Sequence, residues 1–322
     1  YSLIASPLAS LLPVFGVLAS GMLALIFFLG AALACRYCLF TDRIRWHYAV
    51  PVLLPSLLSL VLHNITWVSE KGLHSVGLVQ GNIDQSIKWD FKERNRITRK
   101  YISMSAELWG LNLVVWPEYA LTLYGDEAKR VKLNLQERAI ESGTNLLLGA
   151  PEIVAYRDEK LAERFRVFNT AQGFGLASGS FAKSHLVPFG DYVPFQEVLR
   201  GLITFFDLPM SSSSKGSSDQ PNIVAKLGDE TAQIGIGICY EIAFGDSMRI
   251  RASEADLLVT ITNDTWFGAS IGPHQHMQIA RVRALENGRW LVRAANDGIT
   301  RNIDHNGKVR HELPQITEGV LK

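Results

Sequence analysis

The sequence predicts a layered α/β or α+β domain joined to a pair of apolar helices at its N-terminal side. Three observations predict it. Two charge-free apolar stretches stand at the start of the chain. Short apolar runs then alternate with amphipathic helical stretches, with hairpins between them. The length, 322 residues, agrees with about two structural units.

The apolar stretches come first. Hydrophobic residues make up 48% of the chain and charged residues 20%, which suits a globular domain with an added apolar segment. The net charge is +1, so the balance points to no nucleic-acid partner. Before Glu70 the only formal charges are Arg36, Asp42, Arg43 and Arg45. Ser2 to Cys35 is free of charge, and so is Tyr48 to Trp67. Each is long enough for a bilayer core of ~30 Å. They predict transmembrane helices at about 10–35 and 48–67, within a membrane region covering 1–69. The first stretch is too long for a signal peptide, lacks a basic start and is followed by no small-residue cleavage site. Pro13, Pro51 and Pro55 are tolerated in spanning helices.

Orientation follows from the connection. Arg36, Arg43 and Arg45 lie there with His47 close by, and basic residues in short loops favour the cytoplasmic side. Trp46 and Trp67 flank the second stretch as interfacial aromatics. Everything after Trp67 is then expected outside, which for a bacterial inner membrane means the periplasm. The chain opens on Tyr1 rather than Met, so it is expected to be a processed or truncated piece of a longer protein.

The exported part reads as follows. Val76 to Gln80 is a strand ending at Gly81-Asn82. Phe91 to Leu108 is an amphipathic helix. Asn112 to Trp116 is a strand stopped by Pro117. Gly125 to Ser142 is a helix with Gly143 at its C-terminal end. Leu146 to Gly149 is a strand, and Val167 to Phe174 with Ser180 to Val187 form a hairpin. Gln233 to Ile238 and Asp256 to Thr262 are strands, and His274 to Glu286 is a helix. Trp290 to Val309 is a final hairpin turning at His305-Asn-Gly307. Ser211 to Ser218 is low-complexity and reads as a surface loop. The apolar run Leu202 to Met210 reads either as a core-packed helix or as a loop dipping toward lipid.

Three local contexts can carry chemistry. Glu118 follows an apolar strand in Trp116-Pro117-Glu118, where α/β folds commonly place ligands. A partly desolvated carboxylate there can act as a general base. Lys183 interrupts an otherwise apolar strand pattern, so it either reaches the surface or meets a carboxylate. Cys239 ends the glycine-rich strand Gly235-Ile-Gly-Ile. Cys35 and Cys38 lie at the cytoplasmic end of the first apolar stretch, so Cys239 is the lone thiol of the exported part. An ordinary thiol titrates near ~8.5 and needs a base or a positive charge beside it to react. His274 and His276 form His-x-His, a spacing that does not bring two rings to one helix face. No metal site and no cofactor are expected.

In the order Glu118, Lys183, Cys239, at spacings of 65 and 56 residues, these contexts resemble the nitrilase superfamily. That resemblance implies a four-layer αββα sandwich of the α+β class over 74–322 and a Glu–Lys–Cys triad for acyl transfer. Longer motifs look like the apolipoprotein N-acyltransferase family within it. They are Val79-Gln-Gly-Asn82, Gln85-Ser-Ile-Lys-Trp89, His185-Leu-Val-Pro-Phe-Gly190, Phe206 to Ser212, Ile238-Cys-Tyr-Glu-Ile242, Asn263-Asp-Thr-Trp-Phe-Gly268, Arg281 to Leu285 and Asn296-Asp-Gly-Ile-Thr300.

The resemblance implies an acyl chain moved from a phospholipid, commonly phosphatidylethanolamine, to the N-terminal amine of a diacylglyceryl-cysteine apolipoprotein. Cys239 would be the nucleophile, Glu118 the base, and Lys183 with a nearby backbone N–H the oxyanion partner. Trp89, Tyr240 and Glu241 would support the substrate. Asp191 stands where some relatives carry glutamate. The family has further spanning helices on both sides of this segment. The alternative is a nitrilase-type amidase that opens the same thioester with water, and a non-catalytic tethered binding protein on the same scaffold is the third reading.

Overall fold

A computed structural model describes residues 1–40, 49–157, 163–194 and 213–322. Arg43, Arg45, Trp46, His47, the run Leu202 to Met210 and the motif Phe206 to Ser212 lie outside the described residues.

The first apolar stretch forms helix α1, Leu12–Phe40, broken at Gly16 (φ 65°, ψ 179°). It is apolar on all sides and long enough to cross a bilayer. The second, α2 (Val50–His63), is shorter than the sequence suggests. Pro51 opens it and Asn64 ends it, bonding back to the Leu60 and Leu62 carbonyls. Its 14 residues rise ~21 Å, less than a ~30 Å core. Leu8, Leu11, Ala24 and Leu62 pack α1 and α2 together.

The remainder is two six-stranded sheets face to face. The first sheet has the order β12-β1-β2-β3-β4-β5. Its strands are β1 (Val76–Gln80), β2 (Leu113–Val115), β3 (Asn145–Arg157), β4 (Glu163–Gly175), β5 (Ser180–Ala182) and β12 (Gly319–Leu321). The second has the order β11-β10-β9-β8-β7-β6. It comprises β6 (Ile223–Leu227), β7 (Glu230–Ile238), β8 (Leu257–Thr262), β9 (Leu291–Ala295), β10 (Thr300–Ile303) and β11 (Val309–Leu313). Each sheet has three parallel strands, β1-β2-β3 or β7-β8-β9, with antiparallel edges.

Strand alternation sorts the side chains into layers. Leu78, Leu113, Val115 and Leu147 face Ile234, Ile236, Val259 and Ile261 between the sheets. Their neighbours Val79, Val114, Leu146 and Leu148 face outward onto Ile97 and Tyr101 of α4 (Arg94–Met104) and Leu135 and Ala139 of α5 (Gly125–Glu141). A short helix, α3 (Gln85–Lys88), precedes α4. On the far side, α6 (Gly245–Glu254) and α7 (Gly272–Asn287) cover Leu258 and Leu291 with Met248, Ala252, Met277 and Ala280. The result is the αββα sandwich.

Some elements differ from the sequence reading. The expected Phe91–Leu108 helix runs only over α4. The expected Val167–Phe174 and Ser180–Val187 hairpin exists as β4–β5, but β4 pairs over a longer stretch with β3. The expected final hairpin is a three-strand meander, and His305-Asn-Gly307 turns between β10 and β11. β6 and β12, both short edge strands, are not among the strands read from the sequence.

One glycine is required by a close approach. β3 passes beneath the Pro117–Glu118 turn at Gly149, where a Cβ would lie 2.4 Å from the Pro117 carbonyl oxygen and 2.7 Å from Glu118 Cα. Both are backbone atoms and cannot swing aside. Gly149→Ala is expected to destabilise the fold by ~1–3 kcal/mol, read as a lower urea midpoint at unchanged slope. An unchanged midpoint would show that the turn has room to move.

Candidate active site

The parallel strands of both sheets end near one another, and the residues after those ends build the site. Glu118 follows β2 and Cys239 follows β7. Lys183 follows β5 and is tied to β4 by its N–H, which donates to the Asn169 carbonyl at 2.8 Å.

Glu118 is 3% exposed, and both its oxygens are engaged. Oε1 accepts from Asn169 Nδ2 at 2.7 Å and from Lys183 Nζ at 3.2 Å. Oε2 accepts the Asn263 backbone N–H at 2.8 Å. Lys183 is 1% exposed and also pairs with Asp191 Oδ2 at 2.8 Å. Asp191 is held by its own loop, because Val187 N–H donates to the same carboxylate at 2.8 Å. The structure therefore brings together Glu118, Lys183 and Asp191, and Asp191 is a partner of the lysine. Burial works against the Lys183 ammonium, but Glu118 and Asp191 outweigh it and hold its titration well above the usual lysine range.

Cys239 is half-buried and sits in the left-handed region, φ 52°, at the start of the 3₁₀ turn Cys239–Ala243. Such a conformation costs a non-glycine residue ~1–3 kcal/mol and needs its surroundings to hold it. Burial, then the Glu118 charge, pushes the thiol up to about 12, with Lys183 and Thr262 acting in the opposite direction. The resting sulfur is thus a thiol, and to act as a nucleophile it would need a base to take its proton.

The supporting residues separate into two kinds. Glu241 is 1% exposed and works inside the protein. Its carboxylate accepts Ile238 N–H (2.9 Å), Ser184 N–H (2.7 Å), Ser184 Oγ–H (2.7 Å) and His185 N–H (3.1 Å). It clamps the lysine segment to the cysteine turn, a place that suits structural support rather than substrate contact. Tyr240 is exposed and meets Phe244 edge-on, while Phe244 stacks on His185. Trp89 meets Tyr119 edge-on at 4.9 Å, and its buried Nε1 has no partner among the described residues.

Sequence reasoning gave no role to several site residues. Lys88 is fully buried, and its Nζ donates to the Glu118 carbonyl at 3.0 Å. Burial pulls its ammonium down to about 8, with Glu118, Asp297 and Cys239 opposing. Asn169 and Asn263 hold Glu118. Lys88 and Asn263 lie inside motifs carried by the resemblance, so their positions were marked although their contacts were not. Asn169 had no local signal. His274 is exposed and His276 buried, so the two rings lie on different faces. Among the described residues no cluster of three His, Cys, Asp or Glu side chains could hold a metal ion.

The comparisons agree with this architecture. An apolipoprotein N-acyltransferase of Pseudomonas syringae pv. tomato is 39% identical over 325 residues, covering 100% of this chain and 62% of that protein. Its namesake in Pseudomonas aeruginosa is 39% identical over 330 residues, with 100% and 61% covered. The chain thus spans about three fifths of the length of these relatives. Among solved structures, XC1258 from Xanthomonas campestris, a CN-hydrolase superfamily protein, superposes with a TM-score of 0.53 at 18% identity, covering 77% of this chain and 88% of that one. The carbon-nitrogen hydrolase profile matches residues 75–322, most of the chain and all of the two-sheet sandwich, and the chain therefore belongs to the carbon-nitrogen hydrolase family.

Proposed function

We propose that the protein is an apolipoprotein N-acyltransferase, in which Cys239 carries an acyl chain from a membrane phospholipid to the N-terminal amine of a diacylglyceryl-cysteine lipoprotein. The observation that carries this reading is a neutral, half-buried thiol beside a buried Glu118–Lys183 pair, on a chain whose α1 is long and apolar enough to cross a bilayer. The names of the relatives support the acceptor, and a lipid donor suits a site tethered to a membrane. The basic residues between the apolar stretches support a periplasmic site in a bacterial inner membrane.

The chemistry proceeds in two balanced halves. Glu118 takes the thiol proton as Sγ attacks the ester carbonyl. Lys183 and the backbone N–H after Cys239 hold the tetrahedral oxyanion. Its collapse breaks the ester C–O bond, and the lysophospholipid alkoxide leaves with the proton from Glu118. The thioester is then attacked by the lipoprotein amine, which gives a proton to Glu118. Collapse breaks the C–S bond and the sulfur recovers that proton. Phosphatidylethanolamine is the donor to test first.

Intact-mass analysis of the full-length protein after incubation with phosphatidylethanolamine is expected to show one acyl adduct, absent from Cys239→Ala. Glu118→Gln and Lys183→Ala are expected to form it at least ~100-fold more slowly. No adduct on the wild type, or an equal one on Cys239→Ala, would sink the reading. An adduct released by water as fast as by a lipoprotein amine would favour the amidase alternative.

Lys88 sets a pH limit. Its titration at about 8 leaves it charged below that pH and neutral above it. A positive charge near Cys239 favours the forming thiolate, so the acylation rate should lose this support as pH rises through ~8. Lys88→Met is expected to be slower below pH ~8 and to lack that inflection. A rate profile in Lys88→Met that parallels the wild type would remove Lys88 from the site's electrostatics.

A further inference from the structure

Behind the nucleophile lies a buried polar group that the chemistry above does not use. His276, on α7, lies under the Cys239–Ala243 turn. Its Nε2 is 3.0 Å from the Cys239 carbonyl oxygen, and its Nδ1 is 2.9 Å from Asp264 Oδ1. Asp264 also accepts from Thr262 Oγ1 at 3.0 Å and from Arg293 Nη2 at 2.6 Å. Burial opposes charge on Asp264, yet Arg293 and His276 hold its carboxyl well below the usual range. Gly298 packs against it so tightly that a Cβ would lie 2.2 Å from Oδ2. Ring, carboxylate and guanidinium are thus confined to one arrangement.

A carbonyl oxygen only accepts, so Nε2 is the donor in its bond to Cys239. The Cys239 C=O and the Tyr240 N–H are the two ends of one planar trans peptide and point in opposite directions. Holding the carbonyl toward the buried ring therefore aims the N–H away from it. Cys239 occupies a strained backbone conformation, so this peptide plane needs an external hold. We propose that His276, braced by Asp264 and Arg293, is a positioning residue that orients the Tyr240 N–H as an oxyanion donor. This rests on the reading of Cys239 as the acylated nucleophile.

Two substitutions separate the ring nitrogens. In His276→Gln the side-chain amide nitrogen falls near Nε2 and keeps the donor to the carbonyl. In His276→Asn it falls near Nδ1 and keeps only the Asp264 contact. Two probes separate the chemistry. p-Nitrophenyl butyrate forms an oxyanion on its carbonyl as Sγ–C forms, and p-nitrophenolate then leaves as C–O breaks. Iodoacetamide alkylates the same sulfur by displacing iodide, with no oxyanion. In both, Glu118 takes the thiol proton, and the Cys239 peptide of the full-length protein is followed by mass spectrometry.

His276→Asn should be acylated by the ester at least ~10-fold more slowly than wild type, yet alkylated within ~3-fold of it. His276→Gln should stay within ~3-fold on both probes. The proposal is overturned if His276→Asn matches wild type with the ester, if it slows equally with both probes, or if His276→Gln is as slow as His276→Asn. A wild-type Cys239 inert to both probes overturns the nucleophile assignment, and this inference with it.

Discussion

The structure buries an ammonium between two carboxylates, and much of the domain is arranged to make that tolerable. Lys183, Glu118 and Asp191 are each almost completely removed from water. The effective cost of dehydrating each ion is several kcal/mol, and only close geometry with further hydrogen bonds offsets it. Here Asn169, the Asn263 N–H and the Val187 N–H donate to the two carboxylates alongside the lysine. The cluster holds one more carboxylate than ammonium, and Lys88 brings a second cation against the Glu118 carbonyl. A thiol beside this group stays protonated because burial and the Glu118 carboxylate both resist a further negative charge.

Such a cluster requires segments from both sheets to meet to within a few tenths of an ångström. The sandwich supplies this through bonds that cross from one sheet to the other. Asn296, after β9, accepts from the Ile83 N–H and Tyr101 Oη, and donates to the Ile83 carbonyl and to Asn263. The end of β1 is thereby fastened to the loop that holds Glu118. Glu241 performs the corresponding task on the other side, joining Ser184 and His185 to Ile238. Its carboxylate accepts four protein hydrogen bonds where Glu118 accepts three, and it serves as a clamp between those segments.

The parts of this arrangement legible in the sequence are those with a local signature. Apolar runs alternating with helical stretches mark a layered domain, the four-layer order comes only with the motif likeness, and lone residues in apolar contexts, Glu118, Lys183 and Cys239, stand out because charge and thiol are unusual there. The motif likeness carried Asp191 and Glu241 as well. What a sequence does not carry is which distant atoms satisfy a buried group. Asn169 looks like any polar residue on a strand, yet its amide is 2.7 Å from the Glu118 carboxylate 51 positions away. His276 is marked in the sequence only as half of a His-x-His pair, while its partners are the Cys239 carbonyl 37 positions before it, Asp264 in a loop before it and Arg293 on β9 after it. Hydropathy reports apolarity and not where the backbone stops being helical, and α2 accordingly covers only Val50–His63 of its apolar stretch.

The apolar helix α1 and the Cys239 turn share a brace. Gly16 breaks α1 and leaves the Val17 N–H without a partner in the helix; Glu286 of α7 accepts it at 2.6 Å. Glu286 pairs with Arg283, whose Nε donates to the Ile242 carbonyl at 3.0 Å, three residues after Cys239. Arg283 also reaches Tyr1 Oη at 3.0 Å. Removing Glu286 would leave the buried Arg283 guanidinium without its carboxylate and the Val17 N–H without its acceptor, so the two ends of this link are energetically tied. Under the proposed function, Cys239 would have to keep a constant height relative to an acyl ester held in a bilayer. An anchor attached only by a flexible linker would not ensure that, whereas a helix bonded to the helix beneath the cysteine turn does.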